Sequence, residues 1–275
     1  MKITKAQAKL HNEALGLVEA SSSRRLTLDE RAFIVEHYHE GATHMNGLAG
    51  AFFTPPGLAR DFALHVSGRR IVDLCAGIGG LSFACCDDSV TDMICVELNP
   101  EYARVGRAVM PDARWIEGSV FDPETIRQVG RVDTAVSNPP FGAIPAAGFE
   151  GKYTGGLFEY RLIELASRIA RGGAFIIPQM SAPFAYSGRP GFVHAESERS
   201  RRFTEQTGLV MEAGIGVDTA IYRNTWKGVS PICEIVVCDF EATLDQVEHV
   251  EPPTRHAEAG PLRQGDLFGD LRGAA

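Results

Sequence analysis

The sequence predicts an open α/β fold: a mostly parallel sheet of seven strands, the last one antiparallel, with helices on both faces. Three observations predict it. From residue 71 onward, short apolar runs alternate with helix-length stretches, the pattern of parallel strands joined by crossover helices. The first run, Ile71-Val72-Asp73-Leu74, opens straight into the turn Cys75-Ala76-Gly77-Ile78-Gly79-Gly80 and a helix from Leu81 to Cys86. Glycines at such a turn let backbone approach a nucleotide-like ligand closely. Late in the chain, Leu209 to Val217 and Ile232 to Phe240 are joined through Tyr222-Arg223-Asn224-Thr225-Trp226-Lys227. That hairpin turns the final strand antiparallel.

Taken in order, residues 4–20 and 27–40 read as helices, and Thr27-Leu28-Asp29-Glu30 fits a capping box. Each is too short to bury its apolar face alone, so residues 1–50 form a helical extension and residues 51–242 the main domain. His37, His39 and His44 lack an acidic or thiol partner at ligand spacing and read as surface or hinge residues. Phe52-Phe53-Thr54-Pro55-Pro56 starts a helix, with Thr54 able to cap it. The glycine turn lacks the Gly-Lys-Ser/Thr ending of a phosphate loop, and its G-x-G-G spacing is not that of a dinucleotide site.

The second strand, Met93 to Glu97, ends in an acid about twenty residues past the glycines, where a carboxylate can accept from both ribose hydroxyls. A helix from Pro100 to Val109 follows. A third strand, Ala113 to Glu117, then leads through Gly118-Ser119-Val120-Phe121 to a helix starting at Asp122-Pro123-Glu124. Residues 142–155 read as a Gly/Ala-rich loop. Residues 156–171 read as a helix stopped by Gly172-Gly173, and Ala174 to Pro178 as the fifth strand. Residues 179–198 read as irregular. The tail, 243–275, is Pro-rich and acidic and reads as flexible.

The chain is organised around the fourth strand, Val132 to Ser137, and the corner Asn138-Pro139-Pro140-Phe141 that ends it. Neither proline can donate to a sheet, and the first holds Asn138 extended. The corner offers an amide, rigid carbonyls and one aromatic face at the carboxyl end of a strand, where open α/β sheets bind ligands. Those groups suit a planar amine: two acceptors for its N–H bonds and a ring against its plane. Accepting both protons pushes the delocalised lone pair back onto nitrogen. The same tripeptide also serves as a plain strand exit.

The net charge of −8 argues against a protein that holds nucleic acid by bulk charge. Residues 241–275 hold seven acids against three arginines, so the body is only mildly acidic. Six cysteines without a C-x-x-C pair read as buried free thiols, which argues against a zinc site. The N-terminus lacks an apolar signal core and there is no long apolar run, so a cytoplasmic protein is expected.

In this order, Thr54-Pro55-Pro56, Asp73-Leu74-Cys75-Ala76-Gly77-Ile78-Gly79-Gly80, Glu97 and Asn138-Pro139-Pro140-Phe141 resemble the S-adenosylmethionine-dependent amino methyltransferases of DNA, most closely the adenine-N6 enzymes. The resemblance covers roughly residues 50–180. It implies a Rossmann-like class I methyltransferase fold, S-adenosylmethionine as cofactor and adenine in DNA as target. Phe53, Thr54 and Pro55, with Asp73, Cys75, Ala76, Gly77 and Gly79, would hold the methionine part. Glu97 would bind the ribose, and Ser119 and Val120 would flank the adenine. Asn138 and the carbonyl of Pro139 would accept from the target amine, Pro140 would stiffen the corner and Phe141 would stack on the base. The sulfonium carries an activated methyl, so the chemistry needs no nucleophile or metal.

The departures are Ser119 where the family often has Asp, with Asp122 as a substitute, Cys75 in place of an aromatic, and no large recognition domain. Residues 179–207 and 218–230 remain for that role, with Arg189, Arg199, Arg201, Arg202, Arg223 and Lys227 as phosphate contacts. Gln264-Gly265-Asp266-Leu267-Phe268 resembles the peptides that dock bacterial proteins on the sliding clamp through glutamine, leucine and phenylalanine; alternatively Leu267 and Phe268 fold back on the body. The alternatives are methylation of an amine in RNA or of a glutamine side chain, or a modification subunit with a separate recognition partner. A cytosine-C5 enzyme is disfavoured, since Phe141 stands where its nucleophilic cysteine would be.

Overall fold

The computed structural model describes residues 4–39, 52–227 and 229–241. Two helices, α1 (Lys5–Ala20) and α2 (Leu28–His37), come first, each opened by a capping box, Thr4 with Gln7 and Thr27 with Glu30. Then follow α3 (Pro56–Ala63), β1 (Arg70–Leu74), α4 (Gly80–Cys85), β2 (Asp92–Glu97), α5 (Pro100–Val109), β3 (Arg114–Glu117), α6 (Pro123–Val129), β4 (Val132–Ser137), α7 (Phe158–Ala166) and β5 (Ala170–Pro178). A short hairpin, β6 (Phe184–Ala185) and β7 (Val193–His194), leads to α8 (Glu198–Thr207) and the last strand, β8 (Cys233–Asp239).

The main sheet has the order β3-β2-β1-β4-β5-β8, with every pair parallel except β5 and β8. Side chains alternate across it. Val72, Leu74, Ala135, Phe175 and Ile177 face one cluster with Leu162 and Ile163 of α7. Ile71, Met93, Val136, Ala174 and Ile176 face the other, with Leu58 and Phe62 of α3, Val105 of α5 and Ile34 of α2. Burial on both faces is what an all-parallel sheet core requires.

The strand order turns back between β1 and β4: the chain runs outward to β2 and β3, then returns to β4 and β5. A crevice opens at such a reversal, beyond the carboxyl ends of the strands.

Among the described residues the sheet has six strands, not the seven expected. The stretch 209–217 makes one antiparallel bridge, Glu212 to Val237, and no strand. Gly214 and Gly216 take φ of +58 and +75 and bend the chain off the sheet edge. Gly172 and Gly173 do not stop a helix but lie inside β5, where a Cβ on Gly173 would meet the Phe175 ring at 2.6 Å. Part of the stretch read as irregular forms the β6–β7 hairpin. His39 is not a surface residue: it is 3% exposed, and its backbone N–H donates to His11 Nδ1 at 3.1 Å. Burial, with the charge of Lys227 adding to it, lowers its pKa. The expected boundaries at 50 and 242, His44 and the peptide of Gln264, Leu267 and Phe268 lie outside the described residues. Among those described, no helix is long and apolar enough to cross a membrane.

Candidate active site

Register carries Asn138 to the glycine turn. Asp73 of β1 pairs with Val136 of β4, so the next residues, Leu74 and Ser137, end their strands side by side. The Ser137 hydroxyl donates to the Leu74 carbonyl and ties the two ends together. Cys75 and Asn138 therefore leave the sheet on adjacent strands, about 5 Å apart.

The turn after β1 takes positive φ at every second residue: Cys75 (+69), Gly77 (+56) and Gly79 (+78). Cys75 is the only non-glycine with positive φ among the described residues. Such alternation of hand turns backbone N–H groups inward, and the Gly77 N–H donates to Glu97 Oε2 at 2.7 Å. A Cβ on Gly77 would stand 3.1 Å from the Phe53 ring.

Two buried carboxylates face this turn. Glu97 is 8% exposed and takes a second backbone N–H, from Asn99 to Oε1 at 2.7 Å. Burial raises its pKa, against the backbone N–H groups of Asn99, Gly77 and Leu98. Asp73 is 1% exposed; the Ser82 hydroxyl donates to its Oδ2 at 2.6 Å, while Oδ1 has no partner among the described residues. Burial pushes its carboxyl up to about 7, helped by the charge of Glu97 and opposed by Ser82.

Asn138 is half-buried. Its Nδ2 donates to the Phe52 carbonyl at 2.8 Å and to Thr54 Oγ1 at 3.0 Å. Both amide hydrogens are thereby spent, and Oδ1 is left as a pure acceptor with no donor on it among the described residues. Thr54 does not cap α3, whose N-cap is Pro55 without a side-chain bond; its hydroxyl orients Asn138 instead.

These groups share one cavity of about 380 Å³, a size usual for small-molecule sites. Its wall includes Phe53, Thr54, Asp73, Cys75, Ala76, Gly77, Glu97, Ser119, Val120, Asn138 and Pro140. Pro55, Gly79, Pro139 and Phe141 are not part of that wall. Gly79 shapes the turn from behind, against Trp115. Phe141 is half-buried and packs against the cluster beneath the N-terminal helices. Asp122 does not substitute for an acid at the cavity: it is exposed and caps α6, accepting from Glu124 and Thr125. Lys227 is not a phosphate contact but the C-terminal clasp of α2, donating from Nζ to the Tyr38 carbonyl at 2.6 Å.

Val35, Leu98, Tyr102, Pro145 and Phe158 also line the cavity without having been singled out in the sequence. Leu98 had a local signal: an apolar residue right after a strand-end acid, 70% exposed here. The others arrive through tertiary packing and carry no such signal.

The unpartnered Asp73 Oδ1, the carboxylate of Glu97 and the glycine cradle between them fit a ligand with an ammonium at one end and a ribose diol at the other. S-adenosylmethionine is such a ligand.

No family model matches the chain. A Listeria monocytogenes protein assigned to the class I S-adenosylmethionine-dependent methyltransferases superposes with a TM-score of 0.55 at 12% identity, over 86% of this chain and 81% of that one. The fold is that of class I methyltransferases. That likeness concerns the fold alone. The M protein of the type I restriction enzyme EcoKI has a TM-score of 0.46 at 13% identity, over 85% of this chain and 54% of that one, and bears on neither substrate nor partner. The release factor glutamine methyltransferase of Corynebacterium glutamicum is 37% identical over 89 residues, 30% of this chain and 32% of that protein. The chain thus matches about a third of the length of that curated relative.

Proposed function

We propose that the chain transfers a methyl group from S-adenosylmethionine to a planar NH₂ group, the N6 amine of adenine in DNA. One observation carries the reading: Asn138 stands in the wall of the cofactor cavity with its amide hydrogens spent on Phe52 and Thr54 and its Oδ1 open. An acceptor amine lying on Oδ1 is thereby adjacent to whatever fills the cavity.

Asp73 would hold the ammonium of the cofactor, Glu97 its ribose, and Ser119 and Val120 would flank its adenine. Bound there, S-adenosylmethionine supplies a methyl group already activated by the sulfonium. The chain itself has to orient the amine and exclude water. Asn138 Oδ1 accepts one N–H and the Pro139 carbonyl the other, which returns the lone pair to nitrogen. Phe141, half-buried at the end of the corner, would stack on the base, a contact worth about 1–3 kcal/mol against the cost of extruding it from a duplex. Exposed Arg189 and Arg199, together with Arg201, which sits 3.7 Å from Glu196, would meet flanking phosphates.

The local identity with a release factor methyltransferase favours a second reading, in which the acceptor is the side-chain amide of a glutamine. Expression in a methylation-free host separates the two. Total DNA, RNA and protein are digested, and mass spectrometry shows which monomer gained a methyl. N6-methyladenine in DNA supports the first reading; methylglutamine with unmodified DNA replaces it by the second.

A further inference from the structure

We propose that Glu159 is a positioning residue that holds the two loops flanking the acceptor site at their working distance; this rests on the function proposed above. Glu159, the second residue of α7, is 1% exposed. Among the described residues no lysine or arginine forms an ion pair with it. Its two oxygens go to two different loops. Oε2 accepts from the backbone N–H of Gly142 at 3.0 Å, and Oε1 from the Ser181 hydroxyl at 2.8 Å.

Gly142 directly follows Phe141, at φ +92. Its own carbonyl accepts from the Phe158 N–H at 2.9 Å, so the end of the Asn-Pro-Pro-Phe corner is clipped to the start of α7 through both its polar groups. Ser181 closes the single 3₁₀ turn Gln179–Ser181 that follows β5. β5 pairs Phe175 with Ser137 and then continues to Pro178, three residues past the end of β4. The turn carrying Ser181 therefore overhangs the corner that carries Asn138.

A carboxylate is the group this place calls for, because both partners are donors and each needs its own acceptor. Shape alone would be filled at less cost by an apolar side chain, as at Leu162 and Ile163 on the same helix. What the two acceptor oxygens add is a fixed span between the corner that would grip the amine and the wall opposite it.

The full-length chain carrying Glu159→Ala tests this through three readouts: methyl transfer, calorimetric affinity for S-adenosylmethionine, and amide hydrogen exchange at Gly142. The expected result is a kcat lowered by about tenfold or more, since small misplacements near a reacting centre are costly. Affinity stays within about twofold, and exchange speeds up at Gly142 but not at Val136 inside β4. Glu159→Gln should retain most of the rate, because its oxygen can take the Gly142 N–H while the Ser181 hydroxyl turns to accept from its amide. Adding Ser181→Ala to Glu159→Gln should abolish that rescue, while Ser181→Ala alone costs less, a coupling that general loosening does not produce. The proposal is overturned by an unchanged kcat in Glu159→Ala, or by exchange and cofactor affinity failing together across the domain. A wild-type chain that methylates no acceptor sinks the proposed function instead. Gly142 exchange then still decides whether Glu159 holds its loop, and unchanged protection in Glu159→Ala overturns that.

Discussion

Asn138 and Asp73 put opposite demands on their surroundings. Asn138 is made useful by having its donors consumed, Asp73 by having one oxygen left alone. Asn138→Ala is expected to lower methyl transfer by about a hundredfold or more while leaving cofactor affinity within about threefold, which single-turnover assays and calorimetry would show. For Asp73 the measurable is pH. Its folded pKa of about 7 lies above the ordinary value of roughly 4. The folded apo chain therefore keeps a proton that the unfolded chain gives up. The stability this group contributes is complete below about pH 4 and lost as pH rises through about 7. A cation beside Oδ1 favours the ionised form, so affinity for S-adenosylmethionine should rise from pH 6 to 8, within the range set by a pKa of about 7. In Asp73→Asn that pH dependence should vanish.

Among the elements, α5 lies so close to β3 that a Cβ on Gly106 would come within 2.0 Å of the Trp115 ring, whose indole N–H donates to the Met110 carbonyl at 3.2 Å. Gly106→Ala would gain up to about 1 kcal/mol of helix propensity, but overpacking costs about 1–3 kcal/mol. The clash should win, and urea unfolding should show a net loss. Lys227→Met, which frees the last carbonyls of α2, should cost about 1 kcal/mol and lower Tm by about 2–4 °C. These elements were legible in the sequence to different degrees, for physical reasons. Asp73, Glu97 and Asn138 stand at or next to the carboxyl ends of their strands, with a glycine or proline within the next four residues, so a local pattern carries the geometry. α8 escaped because it buries only Ser200 and Phe203 and is held at its start by the Ser197–Ser200 capping box rather than by an apolar stripe. The run 209–217 read as a strand because its apolar spacing is right, while Gly214 and Gly216 set its path. Thr54 read as a cap, since the partner that recruits it, Asn138, is 84 residues away in the chain.

At the scale of the whole molecule, the cofactor cavity belongs to more than the sheet. Val35 of α2 lines it, a Cβ on Gly80 would lie 3.2 Å from Val35, and Tyr38 reaches the Phe53 ring at 6.0 Å. Helix α2 is thus one side of the site. Saturating S-adenosylmethionine, at about a hundred times its Kd, should add about 2.7 kcal/mol of stability and slow hydrogen exchange in α2 as well as in the turn after β1. Unchanged exchange in α2 would count against that helix as part of the site. The tether of Asn138 to Phe52 and Thr54 adds a consequence in time. The same short segment forms the cavity wall and aims the amide, so whatever occupies the cavity also determines how well the acceptor is received. On the proposed reading the grip is set before the methyl donor arrives, and the donor's entry reaches the amide through that one segment.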